Sequence, residues 1–144
     1  MSMTRKITLF DRAKTDLQSA RLILPQSDSD ELLIDVAAYH VQQGIEKLVK
    51  FALTINGVKH RQTHDMAILH EQLEGAGIML FPWLYKNIDT INSMRLGYEM
   101  AVTLMLSQKK IIQLLNLAEE LLPVLQPLNI EDDATKPESF VDPS

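Results

Sequence analysis

Apolar residues recur along this chain with the period of a helix face. In residues 8–24, Phe10, Ala13, Leu17, Ala20 and Leu24 follow alternating steps of three and four, which predicts one helix with a single buried seam. Pro25 predicts its end, and Gln26-Ser27-Asp28-Ser29-Asp30 supplies a turn whose acids suit the start of a following helix. The pattern is strongest in residues 30–56, where Ile34, Ala38, Val41, Ile45, Leu48, Ala52 and Ile55 keep steps of four and three throughout. That run predicts a long central helix, stopped by Asn56-Gly57, with Lys47 and Lys50 placed favourably toward its C-terminal end.

The spacing predicts three more helices. A third starts at Thr63, buries Met66, Leu69 and Leu73, and ends at Gly75 and Gly77. A fourth carries Phe81, Leu84, Ile88 and Ile91, with Pro82 tolerated in its first turn. Gly97 predicts a break within residues 92–100. A fifth helix, from Thr103 to Leu125, presents Leu104, Ile111, Leu115, Ala118, Leu122 and Leu125 beside Leu114, Leu117 and Leu121. So broad an apolar face suits burial against several neighbours or a subunit interface. Phe81, Trp83 and Tyr85 are expected in core or interface rather than as a base-stacking platform.

Composition narrows this to one all-α domain, an antiparallel up-and-down bundle of about five helices. At 144 residues the chain suffices for one well-buried core, and its scarcity of glycine and aromatics favours helices over strands. The expected division is an N-terminal arm at 1–7, a helical domain at 8–126 and a flexible acidic tail at 127–144. With no cysteine there is no disulfide framework and no thiolate metal site, so packing alone must hold the fold and a reducing cytoplasm is the expected compartment. No run approaches the roughly 18 consecutive apolar residues of a membrane span, and the N-terminus lacks a leader pattern, so no membrane partner is expected.

The formal charge of −5 is uneven, because residues 127–144 hold five acids against one base, Lys136. The remaining 126 residues carry 13 bases and 14 acids. A generic nucleic-acid binder would show a basic excess, so any RNA or nucleotide contact must come from a local patch.

The candidate patch lies on the central helix. Tyr39, Gln43, Glu46 and Lys50 form a second stripe roughly opposite the apolar seam, flanked by His40 and Lys47. One reading is a solvent face laced by a Glu46 to Lys50 pair at i,i+4, worth a few tenths of a kcal/mol. The other is a mixed donor, acceptor and cationic surface for a phosphate, a nucleotide or a partner protein, since lysines suit phosphate as point charges and an outward tyrosine favours being covered.

The run Ala38-Tyr39-His40-Val41-Gln42-Gln43-Gly44-Ile45-Glu46-Lys47-Leu48-Val49-Lys50, followed by Thr63-His64-Asp65 and Leu69, resembles the core of the HEPN family. In that core an aromatic-His-x-Gln-Gln-x-x-Glu-Lys-x-x-Lys helix precedes a helix opened by a Thr-His-Asp-like turn. Arg95 and Tyr98 are similar to the family's later Arg and Tyr, although Leu96 and Gly97 stand between them where a direct Arg-Tyr pair is common. The similarity spans residues 8–125. It implies a helical bundle that often dimerises, found beside minimal nucleotidyltransferases, with some members acting as metal-independent ribonucleases or toxins.

Those nucleases use an Arg, an apolar residue, three variable residues and a His, because a 2′-hydroxyl must lose a proton, a leaving oxygen must gain one and the crowded phosphate needs cationic stabilisation. Arg95-Leu96-Gly97-Tyr98-Glu99-Met100 begins that pattern, but Met100 stands where the histidine is required and cannot transfer a proton. Arg61-Gln62-Thr63-His64 has the wrong spacing. His60 and His64, four apart, straddle an expected helix start, so no metal site is assigned to them. Dinucleotide-binding, phosphate-loop and serine-hydrolase motifs do not occur.

The expectation is therefore an accessory or binding module, a homodimer, with no catalytic residue, metal or cofactor. It would bind a nucleotide or a minimal nucleotidyltransferase partner through Tyr39, His40, Gln43, Glu46, Lys47, Lys50, His64, Arg95 and Tyr98. Arg95 and Lys50 would meet phosphate, Tyr39 or Tyr98 would pack on a base or partner, and Gln43 would fix orientation. The alternatives are an RNA-cleaving toxin using Arg95 with His40 or His64, and a structural helical dimer without a ligand.

Overall fold

A computed structural model describes residues 6–100 and 108–130, with side chains described through Arg95 in the first stretch. It is all-helical among the described residues: α1 (Leu9–Ile23), α2 (Leu32–Ile55), α3 (Met66–Gly75), α4 (Ile88–Met100), α5 (Gln108–Glu119) and a single-turn α6 (Leu122–Leu125), with short 3₁₀ turns between.

The helix ends follow local chemistry. Thr8 caps α1 through a reciprocal pair in which its hydroxyl accepts from the Asp11 amide and the Asp11 carboxylate accepts from the Thr8 amide. Pro25 lies within the 3₁₀ turn Leu24–Asp28, which follows α1 directly. Gly57 and Gly77 adopt φ of 78° and 72° and stop α2 and α3. At each, the glycine amide and the next one bond back to carbonyls of the last turn, Val58 to Leu53 and Ile78 to Leu73 at 2.9 Å.

α2 is the axis of the molecule, packing against α1, α3, α4 and α5. Its seam residues Ala38, Val41, Ile45, Leu48 and Ala52 have no solvent exposure, and neither do Phe10, Ala13, Leu17 and Ala20 of α1. α1 runs antiparallel to α2, because the Phe10 ring meets Phe51 at 5.5 Å in a tilted arrangement while Leu17 lies against Gly44. It is also antiparallel to α5: Arg21 bonds Asn116 and Glu119, whereas Gln108 reaches the Leu24 carbonyl and Ser27.

Four expected boundaries shift. α3 starts at Met66, capped by Asp65 rather than Thr63. The Thr63 hydroxyl instead accepts from the Asp65 amide at 3.0 Å, while Asp65 accepts from the Ala67 amide at 2.9 Å. α4 begins at Ile88 because residues 81–87 form turns and the 3₁₀ stretch Tyr85–Asn87; a three-residue apolar step such as Phe81 to Leu84 reads alike in either helix type. The break expected at Gly97 is absent, and α4 continues to Met100. A glycine costs about 1 kcal/mol in a helix, which the full burial of Ile91 and Met94 on this helix outweighs. The long fifth helix is divided, ending at Glu119, because Pro123 has no amide to donate and its ring would strike the Glu119 carbonyl. Leu104 and the expected start at Thr103 lie outside the described residues.

The docked chain also runs past residue 126. Asn129 accepts from the Thr8 hydroxyl at 2.8 Å and donates to Asp11 at 3.1 Å, tying Gln126–Leu128 and its neighbours to the start of α1. Residues 131–144 lie outside the described residues.

Gly44 sets the spacing of α1 and α2. A Cβ there would fall 2.5 Å and 2.7 Å from Leu17 Cδ2 and Cγ, and Leu17 is fully buried. Gly44→Ala gains about 1 kcal/mol of helix propensity but incurs an overpacking cost of about 1–3 kcal/mol. Urea denaturation should show a net loss of stability. Adding Leu17→Ala should give a double mutant more stable than the sum of the two single losses.

Candidate functional site

α2 buries more of its circumference than a helix with one solvated face would. Gln42 is fully buried, Glu46 is 3% exposed and Asp35 5% exposed. The expected outward row is corrected accordingly. Glu46 points inward, and the side chains left partly open on this part of α2 are Tyr39, His40, Gln43, Lys47 and Lys50. Of these, His40, Gln43, Lys47 and Lys50 follow steps of three, four and three and form one strip.

A buried carboxylate needs donors, and Glu46 has three. Gln42 Nε2 and Lys50 Nζ each donate at 2.9 Å, to Oε1 and Oε2 respectively, and His64 Nδ1 lies 3.0 Å from both oxygens. Burial alone would raise the Glu46 pKa, but the hydrogen bonds from Lys50, Gln42 and His64, with the Lys50 charge, outweigh it and hold the group below its ordinary value. The Gln42 amide nitrogen faces the carboxylate, so its oxygen is left to accept from Gln43 Nε2 at 2.7 Å. Glu46 to Lys50 is thus the i,i+4 pair expected from spacing, but buried.

A second cluster borders the strip on the α1 side. Asp16 accepts from Lys47 Nζ at 2.6 Å and contacts His40 Nδ1 at 2.9 Å. The Tyr39 ring meets His40 edge-on at 5.7 Å. Each cluster has the same composition: a largely buried carboxylate, a lysine and a histidine held through Nδ1.

The residue after His64 ties this turn to α4. Asp65, the α3 cap, accepts from Asn92 Nδ2 of α4 at 3.1 Å, and Asn92 Oδ1 accepts from the Met66 amide at 3.0 Å. Arg95 lies three residues further along α4, on the same side of the helix as Asn92. Among the described residues its Nε is buried without a hydrogen-bond partner, although the residue as a whole is partly exposed. The side chains of Tyr98 and Met100 lie outside the described residues.

The strip therefore gathers Tyr39, His40, Gln43, Lys47 and Lys50 with His64, and Glu46 lies beneath it. His60 goes elsewhere: it is buried and turns Nδ1 to the Arg61 carbonyl at 3.2 Å. In the aromatic group Phe81 is buried and meets Trp83 edge-on at 5.9 Å, while Tyr85 is exposed and lies tilted against the His70 ring. Sequence reasoning missed Asp16, whose partners lie 24 and 31 positions away, and Asn92. Gln42 was visible within the helical motif, although its role was not.

A family model described as the HEPN domain matches residues 8–128. No curated protein and no solved structure matches the chain.

Breaking a buried charge pair by removing one partner costs about 3–5 kcal/mol, so Glu46→Gln should lose about 3 kcal/mol of unfolding free energy at pH 7. The folded-state pKa of Glu46 is depressed. Its stabilising contribution is therefore complete above the unfolded value of 4.5 and is lost as pH falls through the lower folded value. Urea denaturation at pH 7 and pH 3 should show the gap between wild type and Glu46→Gln narrowing in acid.

Proposed function

The chain belongs to the HEPN domain family, and from that membership we propose that it is a binding module for a nucleotide, working beside a minimal nucleotidyltransferase partner. The family points to a nucleotide- or RNA-related role, and HEPN domains often dimerise. No helix among the described residues is long and apolar enough to cross a membrane.

Arg95 carries this reading. A buried donor without a partner costs about 1–3 kcal/mol, and a phosphate oxygen would satisfy it with a charge-assisted bond. Lys50 does not keep the phosphate contact expected of it: it is committed to Glu46, so it builds the strip and leaves the first phosphate contact to Arg95. Gln43, tethered to Gln42, keeps its proposed part in orienting the ligand, and Tyr39 remains the flat surface for a base or partner. A homodimer would place two such strips in one assembly.

The reading is tested by thermal denaturation with ATP. Ligand at 100 times its dissociation constant adds about 2.7 kcal/mol, so 5 mM ATP should raise the wild-type midpoint by several degrees and leave Arg95→Ala nearly unmoved. An unchanged wild-type midpoint would count against nucleotide binding. Labelled RNA incubated in EDTA is the companion experiment. The module reading expects intact RNA, and cleavage that disappears in Arg95→Ala would make the protein a ribonuclease instead.

A further inference from the structure

Asp16 and Glu46 each engage one lysine and one imidazole. The two carboxylates and the two ammonium groups cancel, so with both imidazoles neutral these two clusters offer an anion no net positive charge. An ionised carboxylate only accepts hydrogen bonds, so the ring nitrogen facing it must carry the proton. This places N–H at Nδ1 of both His40 and His64. Nε2 of each neutral ring is then a bare lone pair, which repels a phosphate oxygen. One further proton reverses that, turning Nε2 into a cationic donor. The His64 side chain is 53% exposed and that of His40 28%, so each ring keeps an edge open to solvent.

We propose that the α2 strip is a proton-linked oxyanion site, which takes the phosphate of a mononucleotide when His40 or His64 is protonated at Nε2 while Nδ1–H stays on its carboxylate. The proposal rests on the reading of this strip as a nucleotide site and adds its regulation. Imidazoles change charge between about pH 5 and 8, so affinity tracks pH within the physiological range. The groups facing His40 are Asp16 from α1 and Tyr39 and Lys47 from α2. Those around His64 are Glu46 and, through it, Lys50 from α2, and its chain neighbour Asp65. In each set the lysine beside the carboxylate offsets its charge, so that the carboxylate does not repel the incoming anion.

The experiment is calorimetric titration of the full chain with ATP and with sulfate, a tetrahedral dianion whose charge is constant over the range, at pH 6 and pH 8; adenosine is the phosphate-free control. Each titration is run in two buffers of different ionisation enthalpy. For both anions we expect binding at least tenfold weaker at pH 8, and net proton uptake from the difference between buffers at pH 7. His40→Gln and His64→Gln keep a donor for the carboxylate and should flatten the pH profile. Asp16→Asn releases Lys47 from its counter-charge and should strengthen binding at pH 8, a gain that a merely structural Asp16 would not produce. ATP binding of equal affinity at both pH values without proton uptake would overturn the proton linkage and leave the nucleotide reading intact. Absence of ATP binding at both pH values would overturn both.

Discussion

The most demanding constraint in this fold is an ionised carboxylate inside it. Taking a carboxylate out of water costs several kcal/mol even after relaxation, and Glu46 is almost fully buried. It must recruit donors, and they come from different parts of the chain: Gln42 and Lys50 from the same helix, His64 from the connection to α3. Holding His64 fixes the residue after it. Asp65 can then cap α3 and accept from Asn92 of α4. A single costly charge therefore links α2, α3 and α4 through polar contacts, alongside the apolar core.

The other side of α2 is governed by closeness rather than charge. Gly44 has no side chain, and Leu17 occupies the space a Cβ would need. That approach carries Asp16, the residue before Leu17, to within hydrogen-bond distance of both His40 and Lys47. One helix thus has a tight, small-residue contact on one side and a buried polar network on the other, with a narrow strip open between them. The acidic overall balance of the chain says little about this strip, whose charges are paired locally.

Much of the fold could be read from periodicity because seam residues have one job. Every four-three step in α1 and the middle of α2 ends in a buried side chain, and the glycines at 57 and 77 stop helices where a positive φ is needed. Boundaries were harder where two local rules compete. Thr63 and Asp65 are both good caps, and the choice went to the residue that Asn92, 27 positions later, could also bind. The apolar run up to Leu125 predicted one unbroken fifth helix, yet the missing amide of Pro123 outweighed the pattern. In the site, Glu46 and Lys50 were legible as a pair from their spacing, but their burial was not. It depends on His64 and on helices packed from elsewhere in the chain.

This separates position from role in the helical motif that resembles the HEPN core. The residues of that motif do converge on one strip, yet both of its lysines are bound to carboxylates, and its glutamic acid lies beneath the surface. A lysine 2.6 Å from an aspartate has already spent much of its attraction for a phosphate. On the proposed reading, charge for a ligand would then come from groups with capacity unused among the described residues: the buried Nε of Arg95 and the second nitrogen of each imidazole. Motif spacing marks where a site lies, while the pairing of its charges decides which of its residues can bind.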